Sequence, residues 1–201
     1  MSLAGKRIGF GLTGSHHTHS QVFPQIEKLI EEQAEVIPIV SYTVQTTDTK
    51  FGKATEHIER LEAITGKKVV KTIPEAEPFG PKNPLDCMVI APLTGNSLSK
   101  LSNALTDNPV LMAAKSTMRN QNPVLLGVTT NDALGLNGIN LMRLLNSKYI
   151  YFIPFGQDDP FKKPNSLAAK LDYLVDSVKY ALNGKQLQPL IIPYMDEKMV
   201  K

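Results

Sequence analysis

Thr13, Gly14 and Ser15 close a short apolar run, and His16, His17 and His19 follow at once. Hydroxyls beside a glycine let a backbone approach an anion closely and donate to it, which is how phosphates are cradled at strand ends. The stretch Gly11-Leu12-Thr13-Gly14-Ser15 is neither a G-x-G-x-x-G nor a Walker A loop, because histidines follow instead of Gly-Lys-Ser/Thr. Thr94, Gly95, Asn96 and Ser97 repeat the same chemistry after the apolar run Met88 to Leu93. A third polar group, Thr129, Thr130, Asn131 and Asp132, follows Val124 to Val128. Each alone reads equally well as a tight turn or a helix N-cap. Together they outline a crevice for a phosphate-bearing cofactor.

The histidines supply the remaining chemistry. His16, His17 and His19 form a loop over such a ligand, with His16 and His17 as the candidates to reach a substrate. No cysteine and no HExxH pattern accompanies them, so no metal is expected. His57 falls in a helical pattern beside Glu56 and Glu59 and is expected at the surface. Arg119 offers a guanidinium to a substrate carboxylate or a cofactor phosphate, or is simply solvated. No Ser-His-Asp order, carboxylate pair or Cys-His pair is evident, so hydrolytic and acyl-transfer chemistry are not suggested. Cofactor chemistry needs few catalytic side chains and suits this set.

The elements that must position these residues alternate between strand and helix about six times. Arg7–Leu12, Glu35–Val44, Lys67–Ile73, Asp86–Ala91, Val124–Val128 and Tyr149–Pro154 read as strands. Helical spacing appears after Ser20, from Phe51 to Ile64, from Leu98 to Leu105, from Val110 to Met118, from Ile139 to Leu145, and from Ser166 to Leu182. Pro74 to Pro84 carries four prolines and reads as a rigid connection. The pattern predicts a single-domain three-layer α/β fold over residues 1–201, with a mostly parallel sheet of about six strands and helices on both faces. Residues 185–201 read as an apolar tail that packs along a neighbouring surface or on another subunit.

Composition is that of a soluble globular protein: 201 residues, 42% hydrophobic and 20% charged, with a net charge of +3 spread along the chain. That charge gives little reason to expect nucleic acid. One cysteine, Cys87, excludes an intrachain disulfide and is expected to be buried. No apolar run of membrane-spanning length and no signal peptide is apparent, and a cytoplasmic location is expected.

Gly11-Leu12-Thr13-Gly14-Ser15 followed by a helix, and then Val89-Ile90-Ala91-Pro92-Leu93-Thr94-Gly95-Asn96-Ser97-Leu98-Ser99-Lys100, resembles the homo-oligomeric flavin-containing cysteine decarboxylase superfamily. Its second motif is an apolar strand, Ala-Pro, small residues, then Asn-Thr and a lysine. The resemblance implies a Rossmann-like, flavodoxin-type sheet that binds FMN, often between the subunits of a trimer or a multiple of it. It places Thr13, Gly14 and Ser15 near the FMN phosphate or ribityl chain. Thr94, Asn96 and Ser97 hold the cofactor from the second motif, and Thr129 and Thr130 join the same crevice. Met112, Met118 and Arg119 fall where the family has its flavin clamp and substrate contacts.

Within the superfamily the likeness is strongest to a sporulation oxidoreductase subunit. That implies a ring dicarboxylate substrate and a separate partner subunit, with NAD or NADP possibly on the partner. Arg119, Lys115 and the His16–His19 loop are then the candidates to hold the carboxylates. Two departures weigh against cysteine decarboxylation: the region Ile73 to Pro78 lacks the family's histidine, and Met112 to Asn120 lacks its Pro-x-Met-Asn clamp. The alternatives are a flavin prenyltransferase-like or phosphopantothenoylcysteine decarboxylase-like enzyme, or a non-catalytic nucleotide-binding assembly subunit.

Overall fold

The computed structural model describes residues 2–194. Five parallel strands form its centre: β1 (Arg7–Leu12), β2 (Glu35–Val40), β3 (Cys87–Leu93), β4 (Val124–Thr130) and β5 (Ile150–Phe152). They run in the order β2-β1-β3-β4-β5, with Ile8 opposite both Val36 and Cys87, and Met88 opposite Val124. Every residue of β3 is buried, as expected for a strand covered on both faces. Beyond β3 the end of β4 pairs antiparallel with β7 (Leu167–Ala169), which pairs with β6 (Phe155–Gly156). The sheet thus has seven strands and is mostly parallel.

Helices cover both faces. Val22, Phe23, Ile26 and Leu29 of α1 (His19–Glu31) pack with Leu61 of α3 (Ala54–Thr65) and with Leu174 and Val178 of α8 (Leu174–Leu182) in one core layer. Between β2 and α3 lies a short helix, α2 (Tyr42–Thr46). The opposite layer is built from α4 (Ile73–Ala76), α5 (Gly95–Ser102), α6 (Pro109–Arg119) and α7 (Gly138–Leu145). This is the three-layer architecture expected from the alternation of apolar runs.

Four local expectations are corrected. Lys67–Ile73 is not a strand: only Val70 bridges Ile39. The next residues instead begin α4, where Thr72 and Glu75 form a reciprocal capping box and Pro74 occupies the first turn. The Pro-rich connection therefore contains helix. β2 stops at Val40, and Ser41 leads into α2. The 166–182 segment is not one helix: Leu167–Ala169 pairs with Thr129 and Thr130, and α8 begins only at Leu174. Leu167, Leu171, Leu174 and Val178 fit a helical stripe in sequence, but the open edge of β4 takes the first of them as strand.

Within this chain the tail pairs along Phe155 at Leu190 to Ile192. The N–H of Phe155 donates to the Leu190 carbonyl at 3.0 Å, and that of Ile192 donates to the Phe155 carbonyl at 2.9 Å. The expected tail residues 195–201 lie outside the described residues. Among those described, no helix is long and apolar enough to cross a membrane.

Candidate functional site

β1 and β3 are neighbours, while β2 lies on the other side of β1. Chain direction across the sheet therefore reverses between β1 and β3, and the loops leaving their carboxyl ends diverge to open a crevice. Thr13 leaves β1 fully buried; its hydroxyl donates to the Pro92 carbonyl at 2.7 Å and accepts the Thr94 N–H at 3.0 Å. Both of its hydrogen-bonding directions are used in tying the two crevice walls together. Thr94 caps α5, accepting the Ser97 N–H at 3.3 Å and donating to the Ser97 hydroxyl at 3.2 Å. The N–H groups of Gly95 and Asn96 are left without intrahelical partners at the positive end of the helix.

Gly95 is required there. A Cβ at this position would lie 2.6 Å from Thr130 Oγ1, 2.8 Å from Asp132 Oδ1 and 2.9 Å from Asn137 Nδ2. Those three side chains form a closed network: Thr130 donates to Asp132 at 2.6 Å, and Asn137 donates to its other oxygen at 2.7 Å. The loop after β4 is thereby pressed against the first turn of α5.

Two clefts flank this point and share Gly14 and Thr94. One, of about 270 Å³, is bounded by Ser41, Tyr42 and Thr43 after β2, Asn96 and Ser97 of α5, and Asn108 before α6. The other, of about 300 Å³, is bounded by Ser15, His17, Gly95, Thr129, Thr130 and Asp158. A groove of about 660 Å³ continues from His17 past Gln21, Lys28, Lys163 and Lys170. Ser41 is buried, and its hydroxyl has no hydrogen-bond partner.

Electrostatically the first cleft is close to balanced. Lys100 pairs with Asp107, and its hydrogen bond holds that carboxyl below the usual range. At the groove, burial alone would raise Asp158, but hydrogen bonds from Ser166 and Lys163 hold it low. Cys87 is buried in β3, where desolvation pushes its thiol far up, so it has no reactive role.

The structure gathers Gly14, Ser15, His17, Thr94, Asn96, Ser97, Thr129 and Thr130 around the crevice, with Thr13 as the tie behind them. It does not bring His16 or Arg119 there. His16 is buried and turned away from the clefts, against His19 and His57. His57 is only 6% exposed, which corrects the expectation of a surface residue. Arg119 ends α6, whose start lies beside the cleft; eleven residues at about 1.5 Å each carry it away from the crevice toward the other end of the strands, near Gly80. Lys115 is exposed on the same helix and lines neither cleft.

Sequence reasoning misses Ser41, Tyr42 and Thr43 because the apolar pattern carries β2 through them. The Ser-Tyr-Thr-Val stretch is the available signal, since a hydroxyl at the end of an apolar run is a helix N-cap residue type. Lys163 and Lys170 are missed because the segment between β5 and α8 reads in sequence as a loop followed by a helix.

Comparison with known proteins identifies the fold and the family. The chain is 63% identical over 191 residues to the B-subunit of dipicolinate synthase from Bacillus subtilis strain 168, covering 95% of this chain and 96% of that protein. It superposes on the crystal structure of the dipicolinate synthase B-subunit from Bacillus halodurans with a TM-score of 0.90 at 59% identity, covering 97% of this chain and all of that one. The fold also matches the FMN-dependent cysteine decarboxylase SpaF, with a TM-score of 0.64 at 16% identity, over 90% of this chain and 97% of the other. A family model described as Flavoprotein matches residues 1–155, and the chain belongs to that family.

Proposed function

We propose that the crevice between β1 and β3 binds FMN and that the chain is the flavin subunit of an oxidoreductase of the dipicolinate synthase type. The observation that carries this is the pair of clefts meeting at Gly14 and Thr94, at the strand-order reversal of the sheet. In that position an open α/β sheet takes a cofactor phosphate. The residues present fit the group. Ser41 offers a buried hydroxyl without a partner, Gly95 keeps the α5 terminus open to close approach, and Asn96 is exposed beside it. Gly14, Ser15, Thr94, Ser97, Thr129 and Thr130 complete the walls, and Thr13 fixes their separation. Membership of the Flavoprotein family and likeness to the B-subunit of dipicolinate synthase support the same reading.

FMN bound there supplies a two-electron acceptor for oxidation of dihydrodipicolinate to dipicolinate. His17, at the cleft mouth, is the histidine that would hold or move a proton there, and Lys28 and Lys170 in the adjoining groove would supply cations for a ring dicarboxylate, Lys163 being paired with Asp158. His16 and Arg119, the other catalytic candidates in sequence, have no such position within one protomer. In this reading the A-subunit of dipicolinate synthase is the partner and carries the pyridine nucleotide, NAD or NADP, and the complex works in the cytoplasm. Leu134, Leu136, Ile139 and Met142 are exposed together on α7 and the loop before it, with Leu136 92% exposed. Such a patch marks a protein interface, and we assign it to a homo-oligomer, a trimer or a multiple of it.

The test is titration of the purified chain with FMN, followed by absorption and flavin fluorescence. Saturable binding of one flavin per chain, weakened at least tenfold by Ser41→Val or Asn96→Asp, is the expected result. A chain that binds no flavin under these conditions overturns the reading. Light scattering then gives the number of protomers in the assembly, which falls on Leu136→Glu.

A further inference from the structure

Behind the crevice wall three imidazoles are packed together in a way the flavin site does not use. His16 lies in the turn after β1, His19 begins α1, and His57 projects from α3; they are 7%, 1% and 6% exposed. Ring centroids are 4.9 Å apart for His16–His19, 4.9 Å for His19–His57 and 5.7 Å for His16–His57. One nitrogen from each ring falls within 4.8 Å of the others. Histidines of an ordinary core spend their ring nitrogens on hydrogen bonds, because an unpaired buried polar atom is costly. Here both nitrogens of His16, Nδ1 of His19 and Nε2 of His57 have no partner in the protein.

The nitrogen that is paired is informative. His19 Nε2 lies 3.0 Å from the Thr13 carbonyl. A carbonyl only accepts, so Nε2 carries the proton and Nδ1 of the neutral ring presents a lone pair. That arrangement, one ring N–H held by a backbone carbonyl and the other nitrogen left free, is how metal-binding histidines are oriented.

We infer that His16, His19 and His57 form a binding site for a divalent first-row transition-metal ion, with Zn²⁺ as the best-matched member. Three neutral nitrogen donors without carboxylate or thiolate select imidazole-loving ions such as Zn²⁺, Co²⁺ or Ni²⁺ over Mg²⁺ and Ca²⁺. Metal–nitrogen bonds of about 2.0–2.1 Å require the nitrogens, now within 4.8 Å of one another, to close to about 3.3 Å on binding. The ligands come from two segments, the β1–α1 connection and α3, so the ion cross-links them. It would hold the loop Thr13 to His19, which is one wall of the crevice, against α3. The site is therefore a positioning device for the loop and not a place where substrate reacts.

The experiment uses the full-length untagged chain, stripped with EDTA and dialysed, and titrated with Zn²⁺ alone by calorimetry and with Co²⁺ by visible absorption. One equivalent per chain is expected, with the intense d–d bands of four-coordinate Co²⁺ and a rise in melting temperature on adding Zn²⁺. His57→Ala and the milder His57→Gln each weaken binding at least a hundredfold. His17→Ala, at the exposed neighbour outside the cluster, leaves it unchanged. Circular dichroism establishes that the variants are folded, and the Co²⁺ spectrum of the unaltered chain needs no variant. Absence of stoichiometric Zn²⁺ binding, a weak six-coordinate Co²⁺ spectrum, or binding that survives loss of His57 in a folded variant overturns the inference. No readout requires flavin, so its failure is distinguishable from failure of the flavin assignment.

Discussion

The Thr13 hydroxyl accepts the N–H of Thr94 at 3.0 Å, joining across eighty-one positions of chain the two loops that form the crevice. The same hydroxyl donates to the Pro92 carbonyl, and the residue is 1% exposed. Thr13→Val keeps the shape and removes both bonds, stranding a buried N–H and a buried carbonyl. The expected cost is about 1–3 kcal/mol of stability. FMN affinity should fall by more than that loss of stability alone explains, because the walls are no longer held in register. Urea unfolding and flavin titration measure the two effects separately, and Thr13→Ser should restore both.

The three loops at the strand ends are legible in sequence because hydroxyls and glycine at the end of an apolar run have few other uses. The flavodoxin-like strand order follows once Lys67–Ile73 is removed from the sheet, making β1 and β3 direct neighbours. What sequence conceals is direction. His16 and His17 are adjacent, but a 3₁₀ turn sends one into the core and the other to the cleft. His57 looks solvated because its sequence neighbours are charged; in α3 Glu56 and Glu59 are exposed while the imidazole itself is buried. Arg119 is a candidate for its guanidinium as well as for the family likeness, but the length of α6 carries it away from the crevice, toward the other end of the strands.

Gly95→Ala tests whether the α5 terminus is the cofactor's seat. The added methyl meets Thr130, Asp132 and Asn137, all held by one another and unable to give way separately. Overpacking of this kind costs about 1–3 kcal/mol. The folded variant should bind FMN at least tenfold more weakly, measured by fluorescence quenching. Unchanged affinity would place the flavin elsewhere.

Acid should destabilise the metal-free protein over a defined window. Burial pushes His19 down to about 4, outweighing the Thr13 carbonyl that raises it, with His57, His16 and His17 adding repulsion. Burial also lowers His16 and His57; Glu56 partly offsets the shift at His57, and Arg60 adds to it. The unfolded chain takes up these protons near pH 6.5 while the folded chain resists them, so the unfolded state binds more protons between the two values. Stability is then fully present above about pH 6.5 and is lost as pH falls toward 4. For His19 the loss amounts to about 3 kcal/mol. Urea midpoints in EDTA buffers across this range should show the slope, and His19→Asn should flatten it.

Gly156 is where the chain's end is fastened. Its Cα faces the Ile192 carbonyl so closely that a Cβ would collide with the oxygen, and a backbone oxygen cannot rotate aside. Gly156→Ala should therefore lift residues Leu190 to Ile192 off β6 and break the two hydrogen bonds to Phe155. Because Ile191 is exposed while Phe155 is held in the core by other contacts, the global unfolding free energy should change by only about 1 kcal/mol. Amide hydrogen exchange discriminates this local effect from general damage. Protection at Phe155 and Ile192 should be lost, while β1, β3 and β4 keep theirs. Retained protection at Ile192 would mean that the tail is held by contacts other than this one.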